Sequence, residues 1–160
     1  MCSSDLLVIV TSHYAAGELS VEGGGTLADL LQHWPGVVLM VAGHYHANRI
    51  RAYGAVDDPG AFWEILTDAV VDWPGQGRLV ELVSNGDGTL SIFTTMVDYL
   101  APEGSLAARA RALTLIDVQS LWRPQDGSGA LEDRNCELIQ RIPSDWKAPT
   151  GQALRSLTLP

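Results

Sequence analysis

Two unbroken apolar runs stand out along this chain, Leu6–Val10 and Val37–Ala42. Alternating polarity marks a strand with one wet face, whereas continuous runs of this length mark strands covered on both faces. A strand is therefore expected over Asp5–Ser12 and another over Val37–Ala42, both buried. Between them Thr26 and Asp29 form a helix start signal, Leu27, Leu30 and Leu31 an apolar stripe, and Trp34-Pro35-Gly36 a stop. Asn48–Tyr53 alternates as a half-buried strand should. Phe62–Thr67 reads as a further strand that Asp68–Val71 continues. Arg78–Ser84 and Thr89–Val97 flank Asn85-Gly86-Asp87-Gly88, a hairpin turn. Ser105 caps a helix running to about Leu121, with Leu106, Ala110, Leu113 and Ile116 on one side. Arg123–Ala130 reads as a loop and Asn135–Ile142 as a short closing strand. The class is α/β (α+β): strand–helix–strand followed by an antiparallel meander. Residues 5–100 form the main body, 101–143 add a helix and closing strand, and 144–160 read as a loosely held tail.

Composition changes this picture little. The chain has 160 residues, 46% of them hydrophobic, enough for a core. Formal net charge is −9 and the ten basic residues are scattered. Nucleic-acid binding needs a basic patch or stripe, and none is present. No run approaches the ~20 apolar residues of a membrane span. Cys2 and Cys136 have no metal-type spacing and read as free thiols in a reducing compartment. The first residues lack a signal peptide, so the cytoplasm is the default expectation, with any leader lost if an N-terminal half is missing.

The histidines give the chemistry. His13 follows the first strand, and His44 and His46 follow the second through Gly43. Gly43 is expected to take a conformation that a Cβ resists. If the chain stays extended there, His44 and His46 point to the same side, with Tyr45 opposite. Two strands joined by one helix bring their ends close in a parallel sheet, and open sheets place ligands beyond those carboxyl ends. His13, His44 and His46 are thus candidate ligands for zinc, iron or manganese. Tyr14 and Tyr45 lie beside them. His33 sits in a last helical turn, where the C-terminal dipole suits it, and is left out of the site.

Ser12-His13 and Gly43-His44-Tyr45-His46 resemble, in order, the lone-His and G-H-x-H motifs of calcineurin-like metallophosphoesterases. Residues 62–82 also look like the segment that follows in bacterial members, and Asp133–Pro143 does so more faintly. The resemblance covers roughly residues 5–143. It implies the C-terminal half of a four-layer αββα sandwich, whose intact form binds two metal ions and hydrolyses phosphate esters. It also implies His13 and His44 on metal 2 and His46 on metal 1. The family's D-x-H, G-D-x-x-D and G-N-H motifs are not in this sequence. Those motifs supply the carboxylate ligands, so at most one weakly bound metal is expected here.

Three readings follow. The first is a phosphoesterase fragment supplying histidine ligands, inactive alone and acting on a phosphate ester. The second is a non-catalytic binding or regulatory half-domain that pairs with a separate N-terminal half. The third is a small α/β domain with a mononuclear His-rich site. Loss of a first half would bare a strand edge and an apolar sheet face, so self-association is expected.

Overall fold

Val38, Leu39 and Met40 are the most deeply buried run of the chain, and the fold is laid out around them. The structure, a computed structural model, describes residues 6–55, 57–120, 127–144 and 146. It is a mixed α/β protein with two sheets and few helices. The first sheet contains β1 (Val8–Ser12), β2 (Val37–Ala42), β3 (Arg49–Tyr53) and β4 (Phe62–Leu66) in the order β1-β2-β4-β3. The second contains β5 (Gly77–Ser84), β6 (Thr89–Val97) and β7 (Cys136–Arg141) in chain order, antiparallel throughout. Helix α1 spans Leu27–Leu31 and helix α2 Leu106–Gln119.

Local chemistry sets the elements. Thr26 Oγ1 accepts from Asp29 N–H, and the Asp29 carboxylate accepts from Thr26 N–H at 2.7 Å, a reciprocal cap that starts α1. Ser105 caps α2 through Ala108 N–H at 3.1 Å. The Asn85–Gly88 turn joins β5 to β6, with Gly86 and Gly88 both at positive φ.

Two faces of the first sheet are used. Met40 and Phe62 pack with Ala28 and Leu31 of α1. Leu39 and Ile65 meet Leu90, Ile92 and Leu138 of the second sheet, so the two sheets share one core and β7 belongs to it. The outer face of the second sheet is left bare, with Leu79, Val83, Phe93, Val97 and Ile139 exposed.

Several expectations are corrected. The segment after β2 is not a simple meander: β3 runs back one place away, and β4 fills the gap parallel to β2 and antiparallel to β3. Phe62–Leu66 is the whole of that strand, and Asp68–Val71 lies in the loop after it. Leu6, Val8 and Ile9 are exposed rather than buried, at 65%, 38% and 47%. The cause is position: β1 is an edge strand, paired on one side only, and of this run Leu7 and Val10 alone pack against the core. The opposite edge, β3, is covered, with Ile50 N–H donating to Asp133 Oδ1 at 2.7 Å.

Helix α2 also faces the other way from its apolar stripe. Leu106, Leu113 and Ile116 are exposed at 85%, 57% and 62%. Its half-buried positions are Ala107, Ala108, Arg111, Thr114 and Val118. The side that is held is polar: Arg111 donates to Asp98 and to the Tyr99 carbonyl, and its guanidinium lies 4.3 Å from the Tyr99 ring centre. Cys136 is a free thiol. Cys2, Arg123 and most of residues 144–160 lie outside the described residues. No helix among the described residues is long and apolar enough to cross a membrane.

Candidate metal centre

Parallel pairing of β1 with β2 aligns Ser12 with Ala42. The ladder then continues one step past both strands, where the His13 carbonyl accepts from Gly43 N–H at 3.3 Å and His44 N–H at 2.8 Å. That backbone clasp puts the two imidazoles together. His44 Nδ1 lies 2.9 Å from His13 Nε2, with ring centres 4.8 Å apart and planes nearly perpendicular. His13 is exposed and His44 half-buried. Tyr14 packs against His44 with centres 4.0 Å apart, and His13 meets Tyr14 edge-on at 5.0 Å. Tyr45 turns its hydroxyl to Glu18 at 2.5 Å, a bond that pushes its ionisation up and keeps the phenol protonated.

The chain does not stay extended through the second motif. Gly43 has no left-handed φ, and a Cβ there meets only Thr67 Oγ1 at an ordinary 3.6 Å. The unusual conformation falls instead on His46, with φ 49°, the one non-glycine residue at positive φ among the described residues. Its N–H donates to the Gly43 carbonyl at 3.2 Å, closing a tight turn over His44-Tyr45. His44 and His46 consequently take different partners. His46 Nδ1 contacts Asp72 Oδ2 rather than joining the His13–His44 pair. Histidine tolerates this backbone region better than most residues, so the turn is compatible with the sequence.

The loop carrying Asp72 is braced by a polar network. Asp68 is buried, and its Oδ2 accepts from Gly75 N–H at 2.9 Å and Gln76 N–H at 3.1 Å. Asn48, also buried, accepts at Oδ1 from Asp68 N–H at 3.2 Å and from Arg78 Nη2 at 2.9 Å. Arg78 further donates to Thr94 Oγ1 and to the Asp133 and Arg134 carbonyls. Burial raises the Asp68 carboxyl above the ordinary range and lowers the Arg78 guanidinium below its own. Gly127 closes the network, accepting from Asn48 N–H at 2.9 Å. A Cβ on Gly127 would lie 2.4 Å from the His46 carbonyl oxygen, 2.7 Å from that of Trp73 and 2.8 Å from Asp68 Oδ1. Sequence reading misses Asp72, Asp68, Asn48 and Arg78, whose partners lie up to 80 residues away. Asp72, beside Trp73-Pro74-Gly75, carries only a turn signal.

The His13–His44 pair suits a metal ion chemically. A zinc–imidazole bond is about 2.0–2.1 Å, which puts two nitrogens on one tetrahedral ion about 3.3–3.4 Å apart. The observed 2.9 Å is a hydrogen-bonding approach about 0.4 Å closer than that, so the two rings part slightly to admit an ion, and the exposure of His13 leaves further coordination positions reachable. Two neutral imidazoles bring no charge to balance a dication. Among the described residues no three His, Cys, Asp or Glu side chains are grouped to hold a metal ion. His33, outside the site, bonds the Asp29 carbonyl through Nδ1 at 2.7 Å and caps the end of α1. No protein-family model matches the chain, and no curated protein matches its sequence.

Proposed function

We propose that this chain supplies the histidine side of a metal-dependent phosphoesterase centre. His13 and His44 share one ion in this reading and His46 ligates a second. Carboxylate ligands come from polypeptide outside these 160 residues. The observation that carries it is the 2.9 Å approach of His13 Nε2 to His44 Nδ1 beyond the adjacent carboxyl ends of two parallel strands. The order Ser-His, then Gly-His-x-His, agrees with the calcineurin-like pattern.

A bound ion supplies Lewis acidity toward a phosphoryl oxygen and lowers the pKa of water. The chain's own part is to fix two imidazoles through the His13 carbonyl clasp and to present them to solvent. Tyr14 packs against His44 and restrains its ring. The exposed β1 edge and the bare outer face of the second sheet support the reading as part of a larger sandwich, since an intact fold covers such surfaces. The same two surfaces favour the second reading, a half-domain that pairs with a separate partner without turning over substrate.

Hydrolysis of p-nitrophenyl phosphate by the purified chain in manganese, with His46→Ala as control, tests this. No turnover above the control is expected from the chain alone. Turnover that vanishes in His46→Ala would contradict the requirement for outside carboxylates.

A further inference from the structure

We infer that Asp72 is a positioning residue for His46, holding its proton on Nδ1 so that Nε2 keeps the free lone pair. This rests on the proposed role of His46 as a metal ligand, but its first test does not. An imidazole nitrogen in contact with a carboxylate oxygen is stable only as an N–H donor, and in the neutral ring the other nitrogen then carries the lone pair. His46 Nδ1 and Asp72 Oδ2 make that contact. Nε2 is then the atom available to a metal.

Three further observations point the same way. His46 alone among the described non-glycine residues holds a positive φ. Such conformations persist where the surroundings over-determine them. Here the Gly43 carbonyl holds its N–H, Gly127 lies so near its carbonyl that a Cβ has no room, and Asp72 holds its ring. The pair is also sheltered: His46 and Asp72 side chains are 30% and 18% exposed. They line a cleft of about 10 Å³ with Tyr45, Trp73, Thr114, Val118 and a second carboxylate, Asp117, room for about one water molecule; of the two carboxylates Asp72 is the one in contact with His46. Finally, the loop bearing Asp72 is itself pinned, because Asp68 gathers the Gly75 and Gln76 N–H groups three and four residues beyond it. Helix α2 thereby gains a purpose for its half-buried Thr114 and Val118, which wall the cleft.

The test is nitrogen-15 NMR of the full chain with labelled histidine. Long-range proton–nitrogen spectra are expected to show His46 protonated at Nδ1 and bare at Nε2. Asp72→Ala is expected to shift His46 away from that tautomer while leaving the backbone amide spectrum of the two sheets in place. Asp72→Glu is expected to restore it in part. Should Asp72→Ala fail to fold, the near-isosteric Asp72→Leu, which offers no acceptor, gives the same readout. A wild-type His46 protonated at Nε2, or a tautomer unmoved by these variants, would overturn the inference. Zinc is then titrated into wild type and variant. Binding is expected at the His13 and His44 resonances, with or without Asp72. If the tautomer is as expected but no histidine responds to zinc, Asp72 stands as the partner of His46 and the metal-centre reading fails.

Discussion

Removing the Asp68 carboxylate measures how firmly the loop behind the site is held. In Asp68→Ala two backbone donors lose their acceptor. Gly75 N–H is buried and pays the full cost of an unsatisfied group, about 1–3 kcal/mol. Gln76 is half-buried, so water relieves part of its loss, and Asn48 Oδ1 keeps both its donors. The sum is about 2–4 kcal/mol, or roughly 5–15 °C in melting temperature for a chain of this size. Asp68→Asn behaves differently. Its amide oxygen still accepts from Gly75 and Gln76, and its NH2 replaces Oδ1, which has no hydrogen-bond partner. Burial raises the Asp68 carboxyl from 3.8, so the folded state binds this proton more tightly than the unfolded state. The sign follows: unfolding free energy from this group falls as pH rises from the unfolded value through the raised folded one, and is level above it. Asp68→Asn lacks that term, so its stability relative to wild type rises across the same window and then levels. Urea unfolding of the three proteins from pH 4 to pH 8 reads all of this. An Asp68→Ala protein within about 0.5 kcal/mol of wild type would refute the brace, since even one unsatisfied buried N–H costs more.

Other substitutions test separate parts of the account. Gly127→Ala forces a methyl against two backbone carbonyls and a buried carboxylate, and is expected to cost about 1–3 kcal/mol and to move the His46 amide resonance. A variant as stable as wild type with an unmoved His46 would contradict that packing. Arg78→Met keeps the apolar stem but strips the donors from Asn48, Thr94 and the Asp133 and Arg134 carbonyls, with an expected loss of about 2–4 kcal/mol by denaturant unfolding. Ile9→Lys places a charge on the exposed β1 edge. Sedimentation velocity is expected to show wild type self-associating with concentration and this variant doing so less; a strictly monomeric wild type would contradict the open edge.

Strands and caps were legible in the sequence because their signals are local. The Val37–Ala42 run, the Asn85–Gly88 turn, Thr26 with Asp29 and Ser105 each act within a few residues of themselves. The order of strands was not. Nothing in Phe62–Leu66 says that it slips between β2 and β3, because that choice depends on which edge is free when the chain returns. The apolar run at Leu6–Val10 misled for a related reason: hydrophobicity marks what is buried in some assembly, and β1 lies at an edge of this sheet. Helix α2 shows the limit of periodicity, since its leucines stay exposed while its half-buried side carries Arg111 bound to Asp98 and Tyr99. At the site, His13 with His44 followed from two strands and one crossover. The separation of His46 did not, because it rests on a single backbone angle and on Asp72, 26 residues away.

Whether His13 and His44 take a metal ion together is tested most directly by calorimetric titration of zinc into the wild-type chain and single alanine variants. One site is expected, lost in His13→Ala and in His44→Ala and kept in His33→Ala. Zinc binding that survives both His13→Ala and His44→Ala, or that disappears with His33→Ala, would contradict the centre described here.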